Sequence, residues 1–124
     1  MIKQVMCFRR KAGVSDIELR NYWNNEFDQF IRDAGNTLNC CRAAKSLTLQ
    51  VEENDKLQQR QHFEAPYDGV VEFWFEKPRE AFEITSSDQW IQLITELKQN
   101  PHFLLDTSRS TSFYVDESII IDSE

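Results

Sequence analysis

The sequence predicts an α+β domain with the order β-α-β-β-α-β, one four-stranded antiparallel sheet with its helices on a single face. Three observations carry this prediction. Ser15 followed by Glu18 opens an amphipathic run through Tyr22-Trp23. Tyr67-Asp68-Gly69 is a turn that opens onto Val70-Val71-Glu72-Phe73-Trp74-Phe75, a strand with large apolar groups on both faces. A second helical period, Trp90, Ile91, Ile94 and Leu97, lies between Ser86-Ser87 and Asn100-Pro101.

Residues 2–10 read as an inner strand, because Val5 and Cys7 alternate with Met6 and Phe8 and leave both faces partly apolar. Lys11-Ala12-Gly13 is the turn. Ser15 and Glu18 form a capping box, and Asp16 and Glu18 suit the positive end of the helix dipole. The helix is expected to run to about Ala34 and to stop at Gly35-Asn36. Residues 41–52 alternate with a period of two and one lapse, at Lys45. The polar run 52–66 is long for a connection in a small domain and reads as a mobile segment or a functional flap. Strand three covers about 69–76, with Val71, Phe73 and Phe75 on one face and Val70, Glu72 and Trp74 on the other. Pro78 breaks it, a helical turn follows near 79–83, Ser86 or Ser87 caps the second long helix, and the last strand covers about 108–121.

Length and composition bound the function. A chain of 124 residues is one domain, 1–124, long enough for a core without staples. A formal charge of −7 argues against nucleic acid and against an anionic membrane surface as partners. No stretch approaches the roughly 20 apolar residues of a membrane span. At the N-terminus the basic residues Arg9 and Arg10 follow the apolar ones, the wrong order for a secretory signal, so a cytoplasmic protein is expected. Cys7, Cys40 and Cys41 make an odd set without CxxC spacing, which reads as reduced thiols rather than a metal site. The three glycines form no phosphate loop, and no GxSxG elbow occurs.

The element order is that of the ferredoxin-like split βαβ arrangement. Helices on one side leave the other face of the sheet open. That face would carry Val70 and Trp74, and the simplest way to cover it is a homodimer packed sheet to sheet.

The helix SDIELRNYWNNEF, the turn and strand YDGVVEFWF and the segment FLLD at 103–106 resemble the EthD domain, over about residues 2–120. The resemblance implies membership of the dimeric α/β barrel superfamily, with two ferredoxin-like protomers packed sheet to sheet and a pocket between each sheet and its helices or loops. Relatives in that superfamily include cofactor-free monooxygenases, polyketide cyclases and dehydratases, and isomerases, so the fold does not fix the reaction. Family members commonly carry a histidine four residues after the helix tryptophan. Here that position is Phe27, which can neither transfer a proton nor ligate a metal.

Glu26 falls between Leu19, Tyr22, Trp23 and Phe30 on a helical wheel, where desolvation would raise its pKa toward that of a general base. His102 follows the second helix, where the dipole favours a positive charge. These two are the acid/base candidates. Against them stands the bland reading of a boundary carboxylate and a helix-end histidine. Tyr22, Trp23, Phe27, Glu72, Trp74 and Asp106 are the candidate pocket residues, each of which has a plain packing reading beside the functional one. Asp106 either pairs with a basic residue or bonds a turn. His62 and His102 alone make no metal site. The leading expectation is a protein that encloses an apolar or aromatic small molecule. As an enzyme it would use no cofactor, oxidising or cyclising a reactive aromatic or polyketide-like substrate. The alternative is a non-catalytic binding or accessory module that lacks the family histidine.

Overall fold

The structure, a computed structural model, describes residues 1–123. Nine elements follow in order: β1 (Ile2–Arg10), α1 (Asp16–Asn24), α2 (Glu26–Thr37), β2 (Arg42–Leu47), α3 (Glu52–Gln61), β3 (Gly69–Phe75), α4 (Pro78–Thr85), α5 (Asp88–Gln99) and β4 (Leu105–Asp116). The strands form one antiparallel sheet in the order β2-β3-β1-β4, the ferredoxin-like arrangement.

Register fixes the two faces. Val71, Phe73 and Phe75 are buried with Leu19, Tyr22, Trp23, Phe27 and Ile31 of the helices, as the period-two pattern predicts. Pairing places Lys3, Val5 and Cys7 of β1 beside Trp74, Glu72 and Val70 on the open face, with Val115, Phe113 and Thr111 of β4 across from them.

The signals that set the fold meet in one contact. Trp23 packs directly over Gly69. A Cβ there would stand 2.8 Å from Trp23 Cζ2 and Cζ3, so only glycine lets the ring lie flat on the strand. Asp68 locks the same corner: its carboxylate accepts from the Arg10 backbone N–H at 2.7 Å and from the Arg10 guanidinium at 3.0 Å. Arg10 reaches on to Asp16 at 2.6 Å, which ties the end of β1 to the start of α1. The N-cap half of the capping box forms as expected, with Ser15 Oγ accepting from the Glu18 N–H at 3.2 Å; the Glu18 carboxylate turns back to accept from the Ser15 hydroxyl at 3.0 Å rather than from its backbone N–H.

Several expectations are corrected. The first long helix is two helices, broken at Asn25, whose backbone leaves the helical region at φ −119° and ψ −87°. The break frees the Trp23 carbonyl, and Lys45 Nζ donates to it at 2.7 Å and pairs with Asp28 at 2.9 Å. That contact explains the lapse in β2: Lys45 points to the helix side because a polar group there meets a waiting carbonyl. Gly35 does not stop α2. It lies inside it, because a side chain there would press on Cys40 Sγ and Phe73 Cε1, 3.1 and 3.3 Å from a Cβ. The stop is Asn39, in the left-handed region at φ 56°. Strand β2 is shorter than expected. The polar run 52–66 contains α3, an exposed helix with Glu52, Glu53 and Asp55 in its first turn and Arg60 in its last. Strand β4 starts and ends earlier than 108–121.

Candidate ligand-binding site

A cavity of about 300 Å³ lies between the sheet and helices α2 and α5. Its floor is Gln4, Met6 and Phe8 of β1 and Phe73 of β3. One wall is Phe27, Phe30, Ile31 and Ala34 of α2, and the other is Trp90, Ile94 and Leu97 of α5, with Phe103 closing one end. The volume and apolar lining are those of a small-molecule site.

The aromatic content has a local cause. Phe27 is 1% exposed. Its ring lies 5.0 Å from Trp23, 5.5 Å from Phe8, 5.6 Å from Tyr22 and 6.1 Å from Phe30, so it is the hub of the cluster as well as part of the cavity wall. Phe27, the position at which the resemblance implied a histidine, therefore faces the cavity and presents hydrocarbon.

The polar rim comes from an irregularity in β4. The register slips between Cys7 and Arg9 of β1, leaving Thr107–Ser110 as an outward bulge. Asp106 holds it, accepting from Ser108 Oγ at 2.6 Å and from the Ser108 N–H at 3.1 Å, while Ser110 Oγ donates to the Asp106 carbonyl at 2.6 Å. The Ser108 hydroxyl, foremost, holds the Asp106 carboxyl below the usual carboxylate range. Of the two readings of Asp106, the structure selects the turn. The bulge brings Thr107 and Ser110 to the cavity beside Ser112. Gln4 Nε2 donates to Ser112 Oγ at 3.0 Å, and Gln4 Oε1 is buried without a partner, at a penalty of about 1–3 kcal/mol. Lys98, at the end of α5, is the one ionisable residue in the lining among the described residues.

Of the residues singled out from sequence, Phe27 lines this cavity and the others lie elsewhere. Glu26 and His102 come together in a separate cleft of about 260 Å³ with Tyr22, Phe30 and Phe103. Both are exposed. Glu26 leaves the apolar arc expected of it because the break at Asn25 makes it the first residue of α2. Tyr22 is buried, which together with the Glu26 charge pushes its hydroxyl pKa far up and keeps it protonated. Trp23 is 2% exposed, in the core over Gly69 and not in the cavity.

Glu72 and Trp74 are on the open face of the sheet, the opposite side from the cavity. Alternation in β3 puts them there, since Phe73 takes the helix side. Trp74 is nonetheless buried, because charged groups of its own chain cover it. Lys3 Nζ lies 5.0 Å and the Arg42 guanidinium 4.5 Å from its ring. Its Nε1–H donates to Glu117 at 3.1 Å. Lys3 bridges Glu72 at 2.6 Å and Glu117 at 3.1 Å. The Glu72 hydrogen bond holds the Lys3 pKa up, and the Lys3 hydrogen bond holds Glu117 down.

The cavity residues missed from sequence are on β1, α5 and the bulge. Trp90, Ile94 and Leu97 were legible as a helix stripe, from which Ile91 departs by facing solvent. Nothing in the local sequence marks a bulge at 107–110 beyond its run of small hydroxyl residues.

Fold and site together define a small ferredoxin-like domain with an apolar cavity between sheet and helices. The EthD domain model matches residues 11–100, and the chain belongs to that family. No curated protein matches the sequence. Among solved structures, the Arabidopsis thaliana protein At3g17210 is 16% identical with a TM-score of 0.56, covering 98% of this chain and 99% of that one. An EthD family protein from Bacillus halodurans is 9% identical with a TM-score of 0.54, covering 95% and 100%. A hydroxynitrile lyase from Passiflora edulis is 15% identical with a TM-score of 0.50, covering 95% of each chain. At these identities the likeness is one of fold.

Proposed function

We propose that this EthD-family chain is a small-molecule-binding protein that holds an apolar or aromatic ligand between its sheet and helices α2 and α5. The observation that carries this reading is the cavity itself: about 300 Å³, walled by aliphatic and aromatic side chains, with Phe27 where the family resemblance implied a histidine. Phe27 removes the group that would move a proton there, so the site favours enclosure over acid/base chemistry. Native mass spectrometry of freshly purified protein tests it. A reproducible extra mass, or uptake of an added apolar alcohol such as decanol, is the expected result. Clean protein that takes up neither contradicts it.

One observation favours a second reading, a cofactor-independent oxidoreductase or cyclase. Glu26 and His102 share a cleft with the protonated Tyr22, and Phe30, Leu97 and Phe103 line both that cleft and the cavity. In this reading Glu26 is the base and His102 its partner. Glu26→Gln would then abolish turnover of a bound substrate while leaving its affinity unchanged.

The same proposal includes a homodimer formed through the open sheet face. Val5, Cys7, Val70 and Val115 there are partly buried, and Phe113 is 44% exposed. A second copy would cover this apolar strip and enclose the Lys3, Glu72 and Glu117 network. The acidic composition suits a cytoplasmic setting.

A further inference from the structure

Gln4 is the one polar side chain in the floor of the cavity, and from its unpaired oxygen we infer that the ligand is a neutral hydroxyl compound, an alcohol or phenol whose O–H donates to Gln4 Oε1. The inference rests on the binding reading above and names the ligand class. Pairing with Phe73 puts Gln4 on the helix side of the sheet, in line with Met6 and Phe8. The other floor residues, Met6, Phe8 and Phe73, are apolar. A glutamine among them leaves its Oε1 buried with no partner among the described residues. An aliphatic or thioether side chain would fill the same space without that penalty. A polar group set alone in an apolar cavity is the kind that fixes a ligand's orientation.

The neighbouring groups decide what the donor is. Gln4 Nε2 donates to Ser112 Oγ at 3.0 Å, so one end of the amide is held and the other is left for the ligand. The last torsion of a glutamine is broad, and a small turn brings Oε1 to a donor in the cavity without releasing Ser112. Ser112 Oγ accepts that bond, and its own proton goes to no protein group among the described residues. An acceptor and a donor therefore stand side by side, which a hydroxyl matches because it both gives and receives. Ser110 does not compete: its Oγ donates to the Asp106 carbonyl at 2.6 Å and accepts from the Arg9 N–H at 3.0 Å. A carboxylate has no hydrogen for Oε1 and would be repelled by it. An ammonium has hydrogens, but no carboxylate lines the cavity among the described residues to neutralise it. The body of the ligand would lie against Phe27, Ile31 and Ile94.

Isothermal titration calorimetry of the full chain compares para-propylphenol with its isomer para-ethylanisole, which has the same atoms but no O–H. The wild type is expected to favour the phenol by about tenfold. Gln4→Met, which keeps the length and removes the acceptor, should bring the two affinities level. Ser112→Ala, which releases the amide, should narrow the gap. Equal binding of the isomers by the wild type overturns the inference and leaves the cavity reading standing. So does a preference for the anisole, which would mean that the amide turns its nitrogen to the ligand. A phenol preference undiminished in either variant also overturns it. Binding of neither isomer overturns the cavity reading, and this inference with it.

Discussion

Gly69→Ala probes the contact on which the two most informative sequence segments converge. The added methyl would stand 2.8 Å from Trp23 Cζ2 and Cζ3, well inside van der Waals contact. The ring has nowhere to retreat. Trp23 is 2% exposed and wedged against Phe27 at 5.0 Å and Phe8 at 6.4 Å between ring centres. At an open strand position the same change would gain about 0.5–1 kcal/mol from reduced freedom of the unfolded chain. Here the overpacking dominates, and we expect a net loss of about 1–3 kcal/mol, a drop in Tm of about 4–12 °C at this domain size. The assay is urea and thermal unfolding of Gly69→Ala, Trp23→Phe and the double variant. The smaller ring should relieve the clash, so the double variant should be more stable than the sum of the singles by about 0.5–3 kcal/mol. A neutral or stabilising Gly69→Ala, or strict additivity with Trp23→Phe, would refute the steric account.

Other predictions concern the cavity, the charges and the thiols. Phe27→Ala should lower stability by about 3–5 kcal/mol in urea unfolding, because the ring is both core hub and cavity wall, and any folded fraction should accept a bulkier alcohol than the wild type does. Glu117 and Asp106 both have depressed folded pKa values, so they contribute stability above their ordinary values of 4.5 and 3.8, and it is lost as pH falls through the folded values. Thermal unfolding should therefore show Glu117→Gln less stable than wild type at neutral pH, with the gap closing in acid. Lys3 behaves in the opposite sense: its folded pKa is raised, so its contribution is complete below 10.5 and is lost as pH climbs through the folded value. Cys41 is exposed, whereas burial pushes the Cys7 and Cys40 thiols up, so peptide mapping after iodoacetamide should find Cys41 alkylated first.

The layers of this molecule were legible in the sequence because they depend on near neighbours. Alternation in β3, the Ser15 capping box and the Trp90–Leu97 stripe each place a side chain by its spacing alone. What was hidden depends on partners far along the chain. The break at Asn25 is matched by Lys45, 22 residues from the carbonyl it satisfies. A helical wheel drawn through that break misplaces Glu26. Trp74 reads as an exposed apolar group until Lys3, Arg42 and Glu117 are seen to cover it, and only the register of three strands brings them together. The cavity was foreseen only in kind. Its floor is the helix-side face of β1, its rim is a bulge, and neither leaves a periodic signal.

The central claim is that ligand enters between the sheet and helices α2 and α5 and does not bind to the open face. Methyl-labelled NMR with added decanol tests it directly. The account predicts shift changes at Met6, Ile31, Ala34, Ile94 and Leu97, which line the cavity, and none at Val5, Val70 and Val115 on the opposite face. Changes confined to the three valines, or saturating decanol with no change at the cavity methyls, would contradict it.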